Sequence, residues 1–341
     1  MNRLRPDAED ARFLRRVVLL ILIGCVAVAL YRATNLLILA FGSMLGAIVI
    51  HALAEIYGRR LRMPERLRVP AGMITVLAAV VFLAWLFGYQ FGAQVNALVL
   101  ALPGLLTDLA EWMSRSPVGA RIVEAVEAAF AGSRIAQDIG GLVQGSGELL
   151  LNCILLLAGA MFFAADPGIY RRGALLLVPK SKRAAFGDAL DDVQETLRLW
   201  LRAQIILMTS MGVLIGLGLW MAGVPSAAAL GLLAGLSEFI PYVGPTAAMI
   251  PALGLGATQG TGPLMGALVT YAVVRLLQTN FITPYVQARV IAIPPAVTLF
   301  AIIAIGMVFG LFGLFFSAAL LVVIFTLVRS LYLRETLGED V

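Results

Sequence analysis

Apolar runs long enough to cross a lipid bilayer recur along this chain, and they leave it very few possible folds. A hydrocarbon core about 30 Å thick takes about 20 residues of α-helix to cross. Within lipid, only helices and closed barrels satisfy every backbone N–H and C=O group. A barrel would show segments of ~10 residues with alternating hydrophobicity, whereas runs such as Leu149 to Ala165 and Ala296 to Val328 are uncharged and predominantly apolar without alternation. Because 61% of the residues are hydrophobic and only 13% charged, the chain reads as an all-α polytopic integral membrane protein.

The net charge of +5 does not point to nucleic acid, because the arginines lie in short loops between apolar runs rather than on one soluble face. They report orientation. Arg3, Arg5, Arg12, Arg15 and Arg16 precede a first span at Val17 to Leu30 and place the N-terminus in the cytoplasm. A second span, Leu36 to Leu53, runs into Arg59, Arg60, Arg62, Arg66 and Arg68, and a third runs from Pro70 to Tyr89. Residues 91–147 carry more acid than base, with Ile122, Val126 and Phe130 at i+4 spacing, and read as an extracytoplasmic amphipathic helical segment. The fourth span, Leu149 to Ala165, ends at Asp166-Pro167-Gly168. Arg171, Arg172, Lys180, Lys182 and Arg183 then return the chain to the cytoplasm, where Leu190, Val193, Leu197 and Leu201 stripe an interfacial helix. There a surface helix with solvated charges is preferred to a regulatory or lipid-specific site.

The expected organisation is residues 1–90 as the N-terminus and spans one to three, 91–147 as the external segment, and 148–203 as span four with the interfacial helix. Residues 204–330 then form a transport core and 331–341 a cytoplasmic tail. Within the core, spans at Gln204 to Met221 and Leu264 to Leu277 flank two longer segments, Ser226 to Thr258 and Ala296 to Val328. Each has 33 residues, roughly 50 Å of helix, too long for one ordinary crossing. Pro241, Gly244 and Pro245 interrupt the first; Gly306, Gly310 and Gly313 interrupt the second. Paired interruptions of this kind point to a transporter's substrate site. Either both segments cross, giving eight helices with Arg289 outside, or both are re-entrant, giving six full transmembrane helices and Arg289 inside. The positive-inside rule favours the second.

Candidate chemistry sits at these breaks. An ionised side chain at membrane depth is costly and normally faces a bundle interior or water, so Glu238 is the first pathway residue. The alternative is that its carboxylate satisfies backbone N–H groups freed by Pro241. Gln278, Thr279, Asn280 and Thr283, beside the helix-breaking Pro284, offer neutral donors and acceptors that suit an uncharged hydroxylated solute better than a bare cation. Their alternative is interhelical hydrogen bonding. Arg275 either pairs with Glu238 or snorkels to an interface, and snorkelling is preferred. His51 and Glu55, four residues apart, read as an interfacial polar pair; with one histidine in the chain no metal site is expected. No phosphate-binding Gly-x-x-x-x-Gly-Lys-Ser/Thr occurs, and no Ser/His, Asp/Asp or His-Glu-x-x-His arrangement supports an enzyme. No cofactor is expected. Gly42 and Gly46 fit close helix packing.

Several ordered motifs carry a resemblance. They are Val178-Pro179-Lys180 leading to Leu197-Arg-Leu-Trp-Leu-Arg-Ala-Gln204, Gly218-Leu-Trp-Met-Ala-Gly-Val-Pro225, Leu232-Leu-Ala-Gly-Leu-Ser-Glu-Phe-Ile-Pro-Tyr-Val-Gly-Pro245, Asn280-Phe-Ile-Thr-Pro284 and Phe309-Gly-Leu-Phe-Gly313. Over Arg15 to Arg329 the chain resembles the autoinducer-2 exporter family, a permease-like family of bacterial membrane proteins that includes proposed sodium/proton antiporters. The resemblance implies export of a small polar solute, or cation/proton exchange, across the bacterial cytoplasmic (inner) membrane. It also implies homo-oligomers, with five subunits the expected number. Two departures stand out. Gln278 and Thr279 replace an acid common in the family just before Asn280, and Ser317-Ala-Ala-Leu320 replaces a common proline. Exporter, antiporter, and membrane scaffold or regulator acting through residues 91–147 are the three readings, in that order.

Overall fold

The computed structural model describes residues 33–85, 147–287 and 293–335 continuously, with scattered positions in 17–24, 107–124 and 337–338. Regular structure among the described residues is helical throughout. Most of the first span and of the 91–147 segment, and Arg289, lie outside the described residues.

Helix α1 (Thr34–Arg60) carries the second span, and α2 (Glu65–Trp85) the third. Helix α3 (Gly147–Ala165) packs closely on α1 because small residues meet there. A Cβ on Gly46 would lie 2.7 Å from that of Ala160, and Ser43 Oγ donates to the Leu156 carbonyl at 3.0 Å. The Gly42/Gly46 spacing thus serves close packing. After α3 the chain turns by 86° into α4 (Pro167–Leu176). Asp166 caps α4 by accepting from the Ile169 N–H at 3.2 Å, and Pro167 occupies its first turn, as expected where a missing N–H costs nothing.

Helix α5 (Arg183–Met221) runs 39 residues without a break, about 58 Å. The interfacial stripe and the fifth span are one continuous helix, since nothing near Arg202 interrupts it. Against α5 the first long segment folds as two short helices, α6 (Ala227–Ser237) and α7 (Val243–Thr258). At about 16 and 24 Å neither arm crosses a bilayer. Gly231 of α6 lies against Gly212 and Gly216 of α5, and Gly235 against Met208 and Gly212, so α6 descends antiparallel to α5. At its foot Gln204 Nε2 donates to the Glu238 carbonyl at 2.7 Å.

Helix α8 (Thr261–Leu277) follows. It also runs antiparallel to α5: Gly266 touches Ala222, Gly218 faces Thr270, and Gln278 Nε2 donates to the Leu207 carbonyl. Along α8, the Gly256 position of α7 meets Pro263 and Leu264 while Tyr271 O–H donates to the Ala248 carbonyl at 2.9 Å. Helix α7 therefore climbs back to the level where α6 began. The first segment is a re-entrant hairpin whose ends share one face and whose tip is Glu238–Tyr242.

The second long segment lies in α10 (Pro295–Leu327), which follows the short helix α9 (Thr283–Gln287). Helix α10 is broken at Gly310, whose φ is 70° and ψ −151°, a conformation glycine adopts freely. Beyond it the chain reverses: a Cβ on Gly313 would lie 2.7 Å from the Ile305 carbonyl oxygen, and Thr298 lines the same cavity as Leu321 and Val322. In a straight helix Thr298 and Val322 would be about 36 Å apart. This hairpin enters from the other face. Its second arm leads to Ser330, whose Oγ donates to Asp192 near the arginine-rich end of α5. Among the described residues the fold is therefore full spans plus two opposed hairpins, the re-entrant alternative of the two. Trp200, Phe239, Phe315 and Phe316 lock the hairpins together, with Phe239 stacked on Phe315 at 4.3 Å.

Candidate functional site

The tip of the first hairpin is shaped by its sequence. Pro241 has no N–H to give, and Tyr242 takes φ 66°, ψ −50°, a costly conformation for a residue with a Cβ. Gly244 is required, because any Cβ there would run into the Ser237 carbonyl. The N–H groups of Phe239, Ile240, Val243 and Gly244 all find backbone carbonyls in this turn. The Glu238 carboxylate is therefore not spent on them.

That carboxylate points into protein instead. Glu238 is 7% exposed. Its Oε2 lies 3.6 Å from Nη1 of Arg275, and its Oε1 accepts from Gln278 Nε2 at 3.4 Å. Arg275 thus pairs with Glu238 rather than snorkelling, because the hairpin tip brings the acid within reach one turn before Gln278. Glu238 Oε2 and Gln278 Oε1 are buried without a hydrogen-bond partner. Past Arg275 the helix widens into a π-turn that begins at Gln278 and runs to Ile282, closed by the Thr283 N–H on the Gln278 carbonyl. Pro284 explains the widening, since its ring removes the bond that would otherwise reach Asn280. Such π-turns frequently mark functional sites.

A cavity of about 180 Å³ opens on this group. Glu238, Pro241 and Tyr242 of the first hairpin form one wall, and Arg275, Thr279, Thr283 and Gln287 another. Trp200, Gln204 and Leu207 of α5 form a third, and Thr298, Leu321 and Val322 of the second hairpin close it. Of the candidate residues, Glu238, Pro241, Thr279 and Thr283 line the cavity, and Gln278 sits behind Glu238. Gly244 and Pro245 are buried under the tip. Asn280 and Pro284 are exposed away from it, and Asn280 Nδ2 donates to its own helix at Leu276. Gly306, Gly310 and Gly313 are buried where they shape the second hairpin.

Gln204, Gln287 and Thr298 were not singled out by sequence reasoning. Gln204 had a signal, a lone amide in the apolar run to Met221; Thr298 had none, since only the reversal at Gly310 brings it in. His51 and Glu55 do not join this site. Glu55 pairs with Arg198 at 3.0 Å near the arginine-rich end.

Chemically, the cavity offers one acid and one base that offset each other's charge, flanked by amides and hydroxyls. It can hydrogen-bond a small polar molecule from several sides at membrane depth.

Comparison with known proteins supports a membrane transport role. The family model described as "AI-2E family transporter" matches residues 17–332. The chain is 27% identical over 198 residues to "Putative transport protein YrrI" of Bacillus subtilis, covering 57% of this chain and 54% of that one. It is 28% identical over 178 residues to "Putative transport protein YtvI" of the same organism, covering 52% and 48%. It is 25% identical over 166 residues to "Putative transport protein YueF", covering 48% and 45%. The alignments span about half the length of these relatives. With the family model matched across nearly the whole chain, the protein belongs to the AI-2E transporter family.

Proposed function

We propose that this chain is a secondary, ATP-independent transporter of the bacterial inner membrane that exports a small, uncharged, hydroxylated metabolite of the autoinducer-2 type. The observation that carries the reading is the cavity between two opposed hairpins, in which Glu238, Arg275 and Gln278 form one buried polar cluster. Alternating access would come from the hairpins moving against the full spans, closing the cavity from one face and then the other. The arginine-rich end of α5 and both termini would face the cytoplasm, in agreement with the positive-inside rule. Association of several copies, five by family analogy, would set the full spans as a scaffold around each pathway.

The exporter reading is preferred to sodium or lithium/proton exchange on charge. A bare cation needs uncompensated negative charge, and Arg275 already offsets Glu238, the one acid between Ser226 and Val328. What supports the antiporter reading is that a buried acid lines the cavity, its Oε2 facing Arg275 but without a hydrogen bond. Reconstituted transport of a solute panel under imposed sodium or proton gradients, repeated with Glu238→Gln, separates the two. The exporter predicts solute efflux with little sodium dependence, lowered in the variant. The antiporter predicts sodium-driven pH changes that vanish with it.

A further inference from the structure

A second feature stands apart from the cavity, at the foot of α3. An 86° turn there sends α4 off nearly at right angles to an apolar span, so α4 lies close to the membrane plane. One side of α4 is used up in the fold. Arg171 pairs with Asp191 of α5 at 2.7 Å, and Leu175, one turn on, reaches Gly187. The opposite side is left open. Ile169, Leu176 and Leu177 are 57%, 69% and 88% exposed, a strong apolar display for a short helix. Beside them Arg172, Lys180 and Lys182 are exposed and form no ion pair among the described residues. Arg183, by contrast, is tied to the Val178 carbonyl at 2.9 Å.

An apolar face edged by basic side chains, lying at the end of a span, has the chemistry of an interfacial helix. Apolar side chains enter the acyl boundary while the cations meet phosphate. We propose that α4 and the Lys180–Lys182 turn form a docking surface for the headgroups of anionic phospholipids. Arg171 anchors this surface to Asp191 of α5.

The test uses the full-length chain in detergent and native mass spectrometry with phosphatidylglycerol or phosphatidylcholine of matched acyl chains. Each basic side chain near an anionic surface contributes roughly fivefold, so wild type should retain phosphatidylglycerol over phosphatidylcholine by tenfold or more. Combined Arg172→Gln, Lys180→Gln and Lys182→Gln should abolish that preference, while combined Arg59→Gln, Arg60→Gln and Arg62→Gln should largely keep it. Retention of the preference in the first variant, or equal loss in both, overturns the proposal. A second measurement does not depend on lipid selectivity. In a background lacking Cys25 and Cys153, Leu176→Cys carrying a nitrobenzoxadiazole label should be quenched by brominated phosphatidylglycerol vesicles. An unquenched label, or a disulfide between two copies formed by unlabelled Leu176→Cys, would overturn the proposal.

Discussion

Glu238 and Arg275 are unequal partners, and substitution should reveal it. Arg275 keeps a third of its side chain exposed, whereas Glu238 is almost wholly enclosed. Removing the arginine strands a buried carboxylate, a change that costs about 3–5 kcal/mol when both groups are fully buried. Solvent at Arg275 reduces this to about 1–3 kcal/mol. Glu238→Gln leaves only a partly exposed cation and keeps an amide that can bond Gln278. Thermal unfolding should therefore show Arg275→Gln as the less stable variant, with Glu238→Gln/Arg275→Gln recovering part of the loss. Equal losses that simply add in the double variant would mean the two side chains do not interact. Gln204→Leu should cost about 1–3 kcal/mol, because the Glu238 carbonyl loses its donor in a buried position. Little of this pairing was legible beforehand. Arg275 and Glu238 are far apart in the chain, and whether they meet depends on how α8 is rotated against the hairpin tip. Snorkelling is the usual outcome for an arginine near the end of an apolar helix, which is why sequence reasoning preferred it.

At the level of elements, glycine determines how closely α6 follows α5. A Cβ on Gly231 would lie 2.6 Å from the Gly216 Cα, with backbone on both sides, so Gly231→Ala should cost about 1–3 kcal/mol by overpacking. Gly223→Ala gives a useful contrast. Nothing lies within 4 Å of its Cβ position and only its φ of 73° is unfavourable, so the penalty should be about 1 kcal/mol. Denaturation midpoints in one detergent would rank the two, and a larger loss at Gly223 would contradict the close α5–α6 packing. The interrupted segments themselves were readable, because 33 apolar residues exceed a bilayer crossing and Pro241 and Gly310 mark where they bend. Their topology was not, since a broken span and a re-entrant hairpin share the same residues in the same order. Glycine-to-backbone contacts between distant helices decide it. Cysteine labelling checks the result: a cysteine at Gln259 should react from the face where α5 ends, and one at Arg289 from the arginine-rich face. Reaction of both from one side would exclude opposed hairpins.

Taken whole, the molecule places two hairpins that enter from opposite faces around one polar cavity, held by full-length helices on the outside. The α2 helix is exposed along most of its length and tied to α1 by the 2.6 Å contact between Tyr57 O–H and Thr75 Oγ1, as suits an outer span. The all-helical membrane architecture was plain in the apolar runs. The cavity's fourth wall was not, because Thr298, Leu321 and Val322 become neighbours only through the reversal at Gly310. In the proposed mechanism, solute passes between the hairpin tips across the Glu238–Arg275 cluster. Efflux of hydroxylated solutes from proteoliposomes containing wild type or Glu238→Gln, at equal incorporated protein, tests it most directly. Wild type should show efflux with little sodium dependence, and the variant a rate at least tenfold lower. Unchanged efflux in a folded Glu238→Gln protein would contradict it.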